Sequence, residues 1–399
     1  MPKLIQINQC LNLSTGKIVQ QIGELAISKG WESWIAYSGR EMGVLSRSNL
    51  IRVGNYFDAC VHYVSQYFLD NEGLNSSYYT YKHLNRIREI QPDIVHLHNI
   101  HDHWLNYRLL FDYLNHTEIK VVWTFHDCWA FTGHCFHFST VNCDRWKTNC
   151  YKCPLKHEYP NTLFDHSRNN FDIKKRLFGD CKNLTIVPCS DWMCSFVKES
   201  FLRDKNIQVI KNGIDLNVFR PSFDKLSMRD GKFRILAVSN VWNKEKGLYD
   251  IVKLRGLLPQ EDFLITVIGL NKSQVESLPD GIVGVCRTHD VYELVKYYSE
   301  SDVLVNPTYA DTFPTINLES LACGTPVITY RTGGSPESID ENTGIVVEQG
   351  NLNAMKAAIY YMQSHKLNSF DCRNRAEKYF DKDKCFGQYI SLYEKILES

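Results

Sequence analysis

The sequence predicts an α/β fold in two domains, each built of parallel strands alternating with helices. Short apolar runs such as Leu4-Ile5-Gln6-Ile7, Ile94-Val95-His96-Leu97 and Val121-Val122-Trp123-Thr124-Phe125 alternate with longer helix-period segments. Strands separated by helices belong to parallel βα units. The alternation then restarts beyond Asn212-Gly213 and Pro221, a tight turn and a break near the middle of the chain. At 399 residues the chain is long enough for two separate cores.

Composition narrows the function classes. Lys plus Arg equals Asp plus Glu at 45 each, so net charge implies no nucleic-acid or other polyanion partner and no membrane surface. Hydrophobic residues at 44% and aromatics at 13% fit a globular protein. The N-terminal MPKLIQINQC reads as a first strand, not a signal peptide, and no apolar run approaches the ~20 residues of a membrane span. Without an export signal, the fourteen cysteines are expected as thiols or metal ligands, not a disulfide framework. A cytoplasmic enzyme is the expectation.

In chain order, the first strand leads into the polar loop Asn12-Leu13-Ser14-Thr15-Gly16-Lys17. The helix after it sets Ile18, Ile22, Leu25 and Ala26 on one face and runs to Gly30, before a strand at Trp34-Ile35-Ala36-Tyr37. Ser-Thr-Gly-Lys is not a nucleotide phosphate loop, because the upstream glycine of that pattern is missing. His98-Asn99 and His126-Asp127 each follow a strand-like run, and open α/β sheets bind ligands at the carboxyl ends of their strands. His101, His103 and Asn106 add polar groups nearby.

An insert follows, CWAFTGHCFHFSTVNCDRWKTNCYKCP, in which Cys135, Cys143, Cys150 and Cys153 end in a C-x-x-C pair. Tetrahedral zinc takes four thiolate or imidazole ligands, and Cys128, His134 and His137 compete for the set. A structural zinc and reduced, partly buried thiols stay equally open. Trp146, Lys147, Tyr151 and Lys156 set basic and aromatic groups around it. Thr185-Ile186-Val187-Pro188 is the last long strand of this half, and an amphipathic helix starts at Ser190.

The second half opens with the strand Phe233-Arg234-Ile235-Leu236-Ala237-Val238 and the loop holding Lys244, Lys246 and Gly247. Further units follow at Phe263–Gly269, at Val283–Val285 and in a helix from Asp290 with Leu294 and Tyr298 inward. The segment from Val303 to Glu337 is the most informative. Val303-Leu304-Val305 reads as a buried strand, Pro314 stands at a helix start, Gly324 and Pro326 mark the stop, and Val327-Ile328-Thr329-Tyr330 is another strand. A short helix after a strand and a tight loop offers its first-turn N–H groups, near Thr315 and Ile316, to an anion. Asp311 and Glu319 frame that site. Eight residues on one helix give an offset of roughly 80°, so the two carboxylates make better sense with Asp311 before the helix, reaching opposite ends of one elongated ligand. Gly333-Gly334 gives a second close backbone approach, and Ser335-Pro336-Glu337 reads as a new helix start.

The string DTFPTINLESLACGTPVITYRTGGSPE resembles the donor-site signature of the retaining GT-B glycosyltransferases of group 1, the large family with two acids separated by seven residues, Ala-Cys-Gly-Thr-Pro and Gly-Gly-x-Pro-Glu. Asp311 stands where the family has its first Glu, one methylene shorter, and Glu319 is the second. Asn212-Gly213-Ile214-Asp215 with Phe219-Arg220-Pro221 resembles the interdomain linker, and Lys246-Gly247 the second half of a cationic clamp whose Arg is replaced by Val241. The insert resembles one in the bacterial exopolysaccharide and O-antigen subgroup, which makes Trp146, Lys147, Tyr151 and Lys156 candidates to meet an acceptor.

The resemblance implies a GT-B architecture, two Rossmann-like domains facing a cleft. Residues 1–205 are the acceptor-side domain, with the Cys-rich insert at 128–160; residues 206–380 bind the nucleotide sugar; residues 381–399 form a helix crossing back to the first domain. It implies catalytic roles for His126, which contacts the transferred sugar, for Asp311 on sugar hydroxyls and for Lys246 on the diphosphate. Donor binding falls to Glu319 at the ribose, with Thr315, Ile316, Asn317, Lys244, Gly333 and Gly334; the segment from Arg287 to Leu294 lies near the base. Gly16, His98 and Asn99 are acceptor-side candidates. The implied reaction is retaining hexosyl transfer to a glycan or lipid-linked saccharide in surface polysaccharide or lipopolysaccharide biosynthesis, with no cofactor needed for catalysis. Peripheral contact with the inner membrane stays open, as does oligomeric state. No residue stands out as a covalent nucleophile. An epimerase on the same fold and a catalytically silent nucleotide-sugar binder are the alternatives.

Overall fold

The computed structural model describes residues 1–222 and 231–398, which divide into two compact units. The first comprises Met1–Lys211 with Phe386–Ser399 and the second Asn212–Cys385. The division therefore falls at 211/212, six residues past the expected boundary. The linker motif belongs to the second unit: Ile214 bridges Asp381, Asp215 pairs with Lys382 at 2.6 Å, and the Asn212 amide donates to Phe313 O at 3.4 Å.

The first unit holds strands β1 (Lys3–Ile7), β2 (Glu32–Ser38), β3 (Asn49–Val53), β4 (Ile94–Leu97), β5 (Lys120–Phe125), β6 (Leu184–Pro188) and β7 (Asn206–Ile207). They form one parallel sheet in the order β3-β2-β1-β4-β5-β6-β7. Every residue of β4 and β6 is buried, as expected of central parallel strands covered by helices on both faces. Ile5 sits between Trp34 and Val95 in register and anchors the core with Val121 and Ile186. The sheet reverses direction of growth between β1 and β4, so the loops leaving those strands part and open a crevice. Asn8 and Gly16 follow β1, and His98 and Asn99 follow β4.

The second unit holds β8 (Phe233–Val238), β9 (Phe263–Ile268), β10 (Ile282–Val285), β11 (Val303–Asn306), β12 (Val327–Tyr330) and β13 (Gly344–Val347). Their order is β10-β9-β8-β11-β12-β13, again parallel, with the reversal between β8 and β11. The loop carrying Lys246 leaves β8 and the loop carrying Asp311 leaves β11, so both flank the switch point. The last helix, Lys382–Glu398, starts in the second unit and from Phe386 belongs to the first. There Tyr393 OH lies 2.6 Å from His96 Nδ1 and Tyr389 OH 2.9 Å from Thr124 Oγ1. Among the described residues no helix is long and apolar enough to cross a membrane.

Candidate functional site: a Lys–Asp pair and a histidine relay at two switch points

In the second unit the loops after β8 and β11 are stitched together by their backbones. Asn243 caps the turn Lys244–Lys246 by accepting from Lys246 N at 3.0 Å, and Tyr309 N donates to Glu245 O at 2.6 Å. Gly247 has φ +76°, and a Cβ there would fall 2.2 Å from Pro307 O, so only glycine lets the loops close. The result is an ion pair, Lys246 Nζ to Asp311 Oδ2 at 2.7 Å, with the two side chains 32% and 22% exposed. Sequence reasoning singled out both residues for a ligand and did not foresee that they meet. Lys244 is exposed, and so is Val241, in the place of the family's arginine.

Gly333 (φ +56°) packs so closely on this loop that a Cβ would overlap Asp311 O at 1.6 Å, and Gly334 N donates to Thr312 O at 3.1 Å. The glycine pair thus shapes the Asp311 loop from behind. Helix Thr315–Ala322 follows with Pro314 at its N-cap and no side chain capping it. Its first-turn amides suit an anion. Glu319 accepts from Tyr298 OH at 2.8 Å, and burial, then the carboxylate, hold that phenol far above its ordinary pKa, so it remains a donor. Tyr298 was legible as an inward residue; its role in aiming Glu319 was not. Asn317 is placed differently from expectation. Its side chain is fully buried, accepting from Asn306 Nδ2 and donating to Ser338 Oγ, both at 2.9 Å, so its amide is committed to the core. Ser335–Ser338 is a single 3-10 turn.

In the first unit, β4 and β5 deliver His98 and His126 side by side. The rings stack at 5.4 Å with 14° between planes, and His98 Nδ1 lies 3.1 Å from His126 Nε2. The tautomers follow from Gln6 on β1. Its Nε2 donates to Val19 O at 2.9 Å, which turns Oε1 toward His98 Nε2 at 3.3 Å. An amide oxygen only accepts, so His98 carries its proton on Nε2, accepts on Nδ1, and receives from His126 Nε2–H. Burial, then the other two histidines, drives His98 well below its ordinary value; burial foremost and His101 lower His126 to about 4 against the pull of Asp127. Both rings are neutral at pH 7. Asn99 N donates to Asn8 Oδ1 at 3.1 Å. His101 pairs with Asp127 at 2.8 Å, and although burial opposes it, Asp127 carries its pKa upward. His98, Asn99, His101, His126 and Asp127 line one small cavity after β4 and β5. Gly16 lies inside the helix Ser14–Ser28, not in a turn; a Cβ there would meet the Leu11 backbone at 2.4 Å. His103 bonds Asp102, and Asn106 caps a helix through Leu109 N.

In the insert, Cys135, Cys143, Cys150 and Cys153 line one cavity with His134, and all fourteen cysteines are thiols. Gly133 N donates to Cys150 Sγ at 3.2 Å, and the Cys135 thiol bonds Cys153. His134 Nδ1 is held by Asp70 at 2.6 Å. Among the described residues no three His, Cys, Asp or Glu groups already stand as metal ligands do. Trp146 is not available to an acceptor: it is 1% exposed and stacks on Phe138 at 4.7 Å. Lys147 pairs with Glu199, while Tyr151 is exposed.

Two parallel α/β units, one with a Lys–Asp pair beside an uncapped helix, define a GT-B glycosyltransferase. The Glycosyltransferase Family 4 model matches residues 19–218 and the model for Glycosyl transferases group 1 matches residues 232–365. The chain belongs to this group 1 glycosyltransferase family and is a transferase. WcaC of Escherichia coli (strain K12), named for colanic acid biosynthesis as a glycosyl transferase, is 27% identical over 329 residues, 77% of this chain and 78% of that one. Among solved structures, sucrose-phosphate synthase from Thermosynechococcus elongatus superposes with a TM-score of 0.77 at 17% identity over 100% of both chains. Anabaena Alr3699/HepE in complex with UDP-glucose superposes at 0.67 with 12% identity, covering 98% of this chain and 99% of that one.

Proposed function

We propose that the chain transfers a hexosyl group from a nucleotide-diphosphate sugar to a glycan or lipid-linked saccharide, with retention, in bacterial surface polysaccharide biosynthesis at the cytoplasmic face of the inner membrane. The observation that carries the reading is the Lys246–Asp311 pair beside the first turn of helix Thr315–Ala322. A diphosphate brings more charge to Lys246 than one carboxylate does, and the uncapped amides of Thr315 and Ile316 add donors to it. Asp311, released from Lys246, accepts from sugar hydroxyls, and Glu319 accepts from the ribose. As the glycosidic bond breaks, Lys246 and the helix amides offset charge growing on the leaving diphosphate, so turnover needs no metal. His126, neutral and held in one tautomer through His98 and Gln6, is assigned to a sugar hydroxyl. Gly16 and Asn99 belong to the acceptor side. The names of WcaC and of the UDP-glucose complex support polysaccharide synthesis and a nucleotide-sugar donor.

The cysteine insert is proposed to hold one structural zinc, drawing Cys135, Cys143, Cys150 and Cys153 closer than they stand.

The test is a panel of nucleotide sugars screened by thermal shift, followed by nucleoside-diphosphate release with lipid-linked acceptors and anomeric assignment of the product by NMR. A stabilising donor, acceptor-dependent release and a retained anomer support the reading. No stabilisation by any donor, or an inverted product, overturns it.

A further inference from the structure

The helix Tyr56–Leu69 in the first unit is built the wrong way round for a globular protein. Its buried face is Ala59, His62 and Gln66, while Tyr56, Phe57, Val61, Tyr63, Val64, Phe68 and Leu69 are 72, 77, 52, 50, 53, 48 and 51% exposed. Phe57, Val61, Val64 and Phe68 recur every three or four residues, so they stand in one row along the helix. A surface helix normally buries such a row.

The inward polar groups explain why this helix packs with its apolar row outward. His62 Nδ1 lies 2.9 Å from Ser76 Oγ and its Nε2 accepts from Gly73 N at 3.0 Å. Gln66 donates to Pro160 O at 2.9 Å, and Asn55 caps the first turn by accepting from Asp58 N at 2.9 Å. Turning the helix over would leave Gly73 N, Ser76 Oγ and Pro160 O facing the apolar row without these partners, at about 1–3 kcal/mol each.

The outward row has neighbours of the same kind. Leu163 N donates to Tyr67 O at 2.7 Å, which sets Leu163 and Phe164, 43 and 56% exposed, against the end of the helix. Tyr78 and Tyr81 on the following helix are 67 and 57% exposed. The row with these neighbours makes an exposed apolar face of the kind that marks an interaction site.

We propose that this face docks on a lipid bilayer carrying anionic headgroups, with the helix lying in the interface. The exposed row holds no charged residue, and its tyrosines carry an apolar ring with a polar tip, the side chains that settle at headgroup depth. The cations sit at its edges: Lys82 Nζ is 5.5 Å from the centre of the Tyr78 ring, and Lys156 Nζ donates to Leu163 O at 3.4 Å. Asp165, next to Phe164, turns inward to accept from Cys153 N at 2.6 Å and Ser167 N at 2.9 Å. Glu158 is the exposed acid of that loop. An apolar face with cations at its margins matches an acyl layer beneath anionic phosphates. The proposal deepens the reading of a lipid-linked acceptor, but its test uses neither donor nor acceptor.

The full chain is sedimented with phosphatidylethanolamine–phosphatidylglycerol vesicles and with pure phosphatidylcholine vesicles. The wild type is expected to bind the anionic vesicles more tightly. The combined Phe57→Ser, Val61→Ser, Val64→Ser and Phe68→Ser variant is expected to lose roughly tenfold or more in partitioning, with an unchanged melting temperature because these side chains are exposed. Lys82→Glu with Lys156→Glu should weaken binding to the anionic vesicles only. A wild type that stays in the supernatant with both lipids overturns the proposal, as does a serine variant that binds equally well. A lipid-free dimer that the serine variant converts to monomer also overturns it, with a second copy as the occupant. Vesicle binding without any sugar transfer leaves the docking face standing and refutes the reading of the reaction.

Discussion

Removing the ammonium of Lys246 separates catalysis from stability. In Lys246→Ala, Asp311 loses a partner at 2.7 Å in a pair whose side chains are 32% and 22% exposed. Partly exposed pairs contribute about 0.2–1 kcal/mol. For a unit of this size that is a fall of about 2–4 °C in melting temperature at most. The Asn243 cap and the Gly247 approach to Pro307 are backbone features that alanine leaves in place. The kinetic effect should be much larger. A charge-assisted contact to the departing diphosphate is worth about 1.5–3 kcal/mol, so turnover should fall about ten- to a hundredfold. Asp311→Asn breaks the same ion pair yet keeps the cation, so its melting temperature should match while its defect lies with the sugar. The assay pairs differential scanning fluorimetry with nucleoside-diphosphate release for both variants. Turnover of Lys246→Ala within about twofold of wild type, under roughly 0.5 kcal/mol of barrier, would refute the reasoning and point to Lys244 as the next cation to remove.

Three further outcomes are expected. Glu319→Gln keeps an oxygen for Tyr298 OH and so keeps its fold, but should bind donor at least several-fold more weakly, by about 1.5–3 kcal/mol; equal affinity by calorimetry would remove Glu319 from the site. The first unit should lose stability in acid, because burial lowers His62 to about 3 and His83 to about 4 and holds His96 and His98 well below their ordinary value near 6.5. These rings fold neutral, so their stabilisation is complete above pH 6.5 and is lost as pH falls toward about 4. For His83 alone, 3% exposed, this amounts to about 3 kcal/mol. A melting temperature flat across that window, followed by tryptophan fluorescence, would contradict it. Purified protein should carry about one zinc per chain, and removing it should speed proteolysis within 128–160 before it alters donor binding; no zinc with all four thiols titratable in the native state would show ordinary thiols instead.

The sequence by itself determined the alternation of strands and helices, the two-unit plan and the donor-side string, because each is written locally. Apolar runs buried on both faces, a proline at a helix start and a glycine where the backbone turns left-handed are properties of neighbouring residues. Asp311 and Glu319 were singled out by the local pattern around one helix start, and Lys246 and His126 by their likeness to the family's motifs. What only the tertiary structure decided is which of them meet. Lys246 and Asp311 are 65 residues apart and pair because β8 and β11 adjoin at the switch point. Gln6 sets the tautomer of His98 across 92 residues because β1 and β4 are neighbours. Asn317, promising beside the helix start, turned out to be core, while the apolar row of Tyr56–Leu69 stands at the surface. Periodicity shows that a helix has two faces; only the partners found by His62 and Gln66 decide which face turns inward.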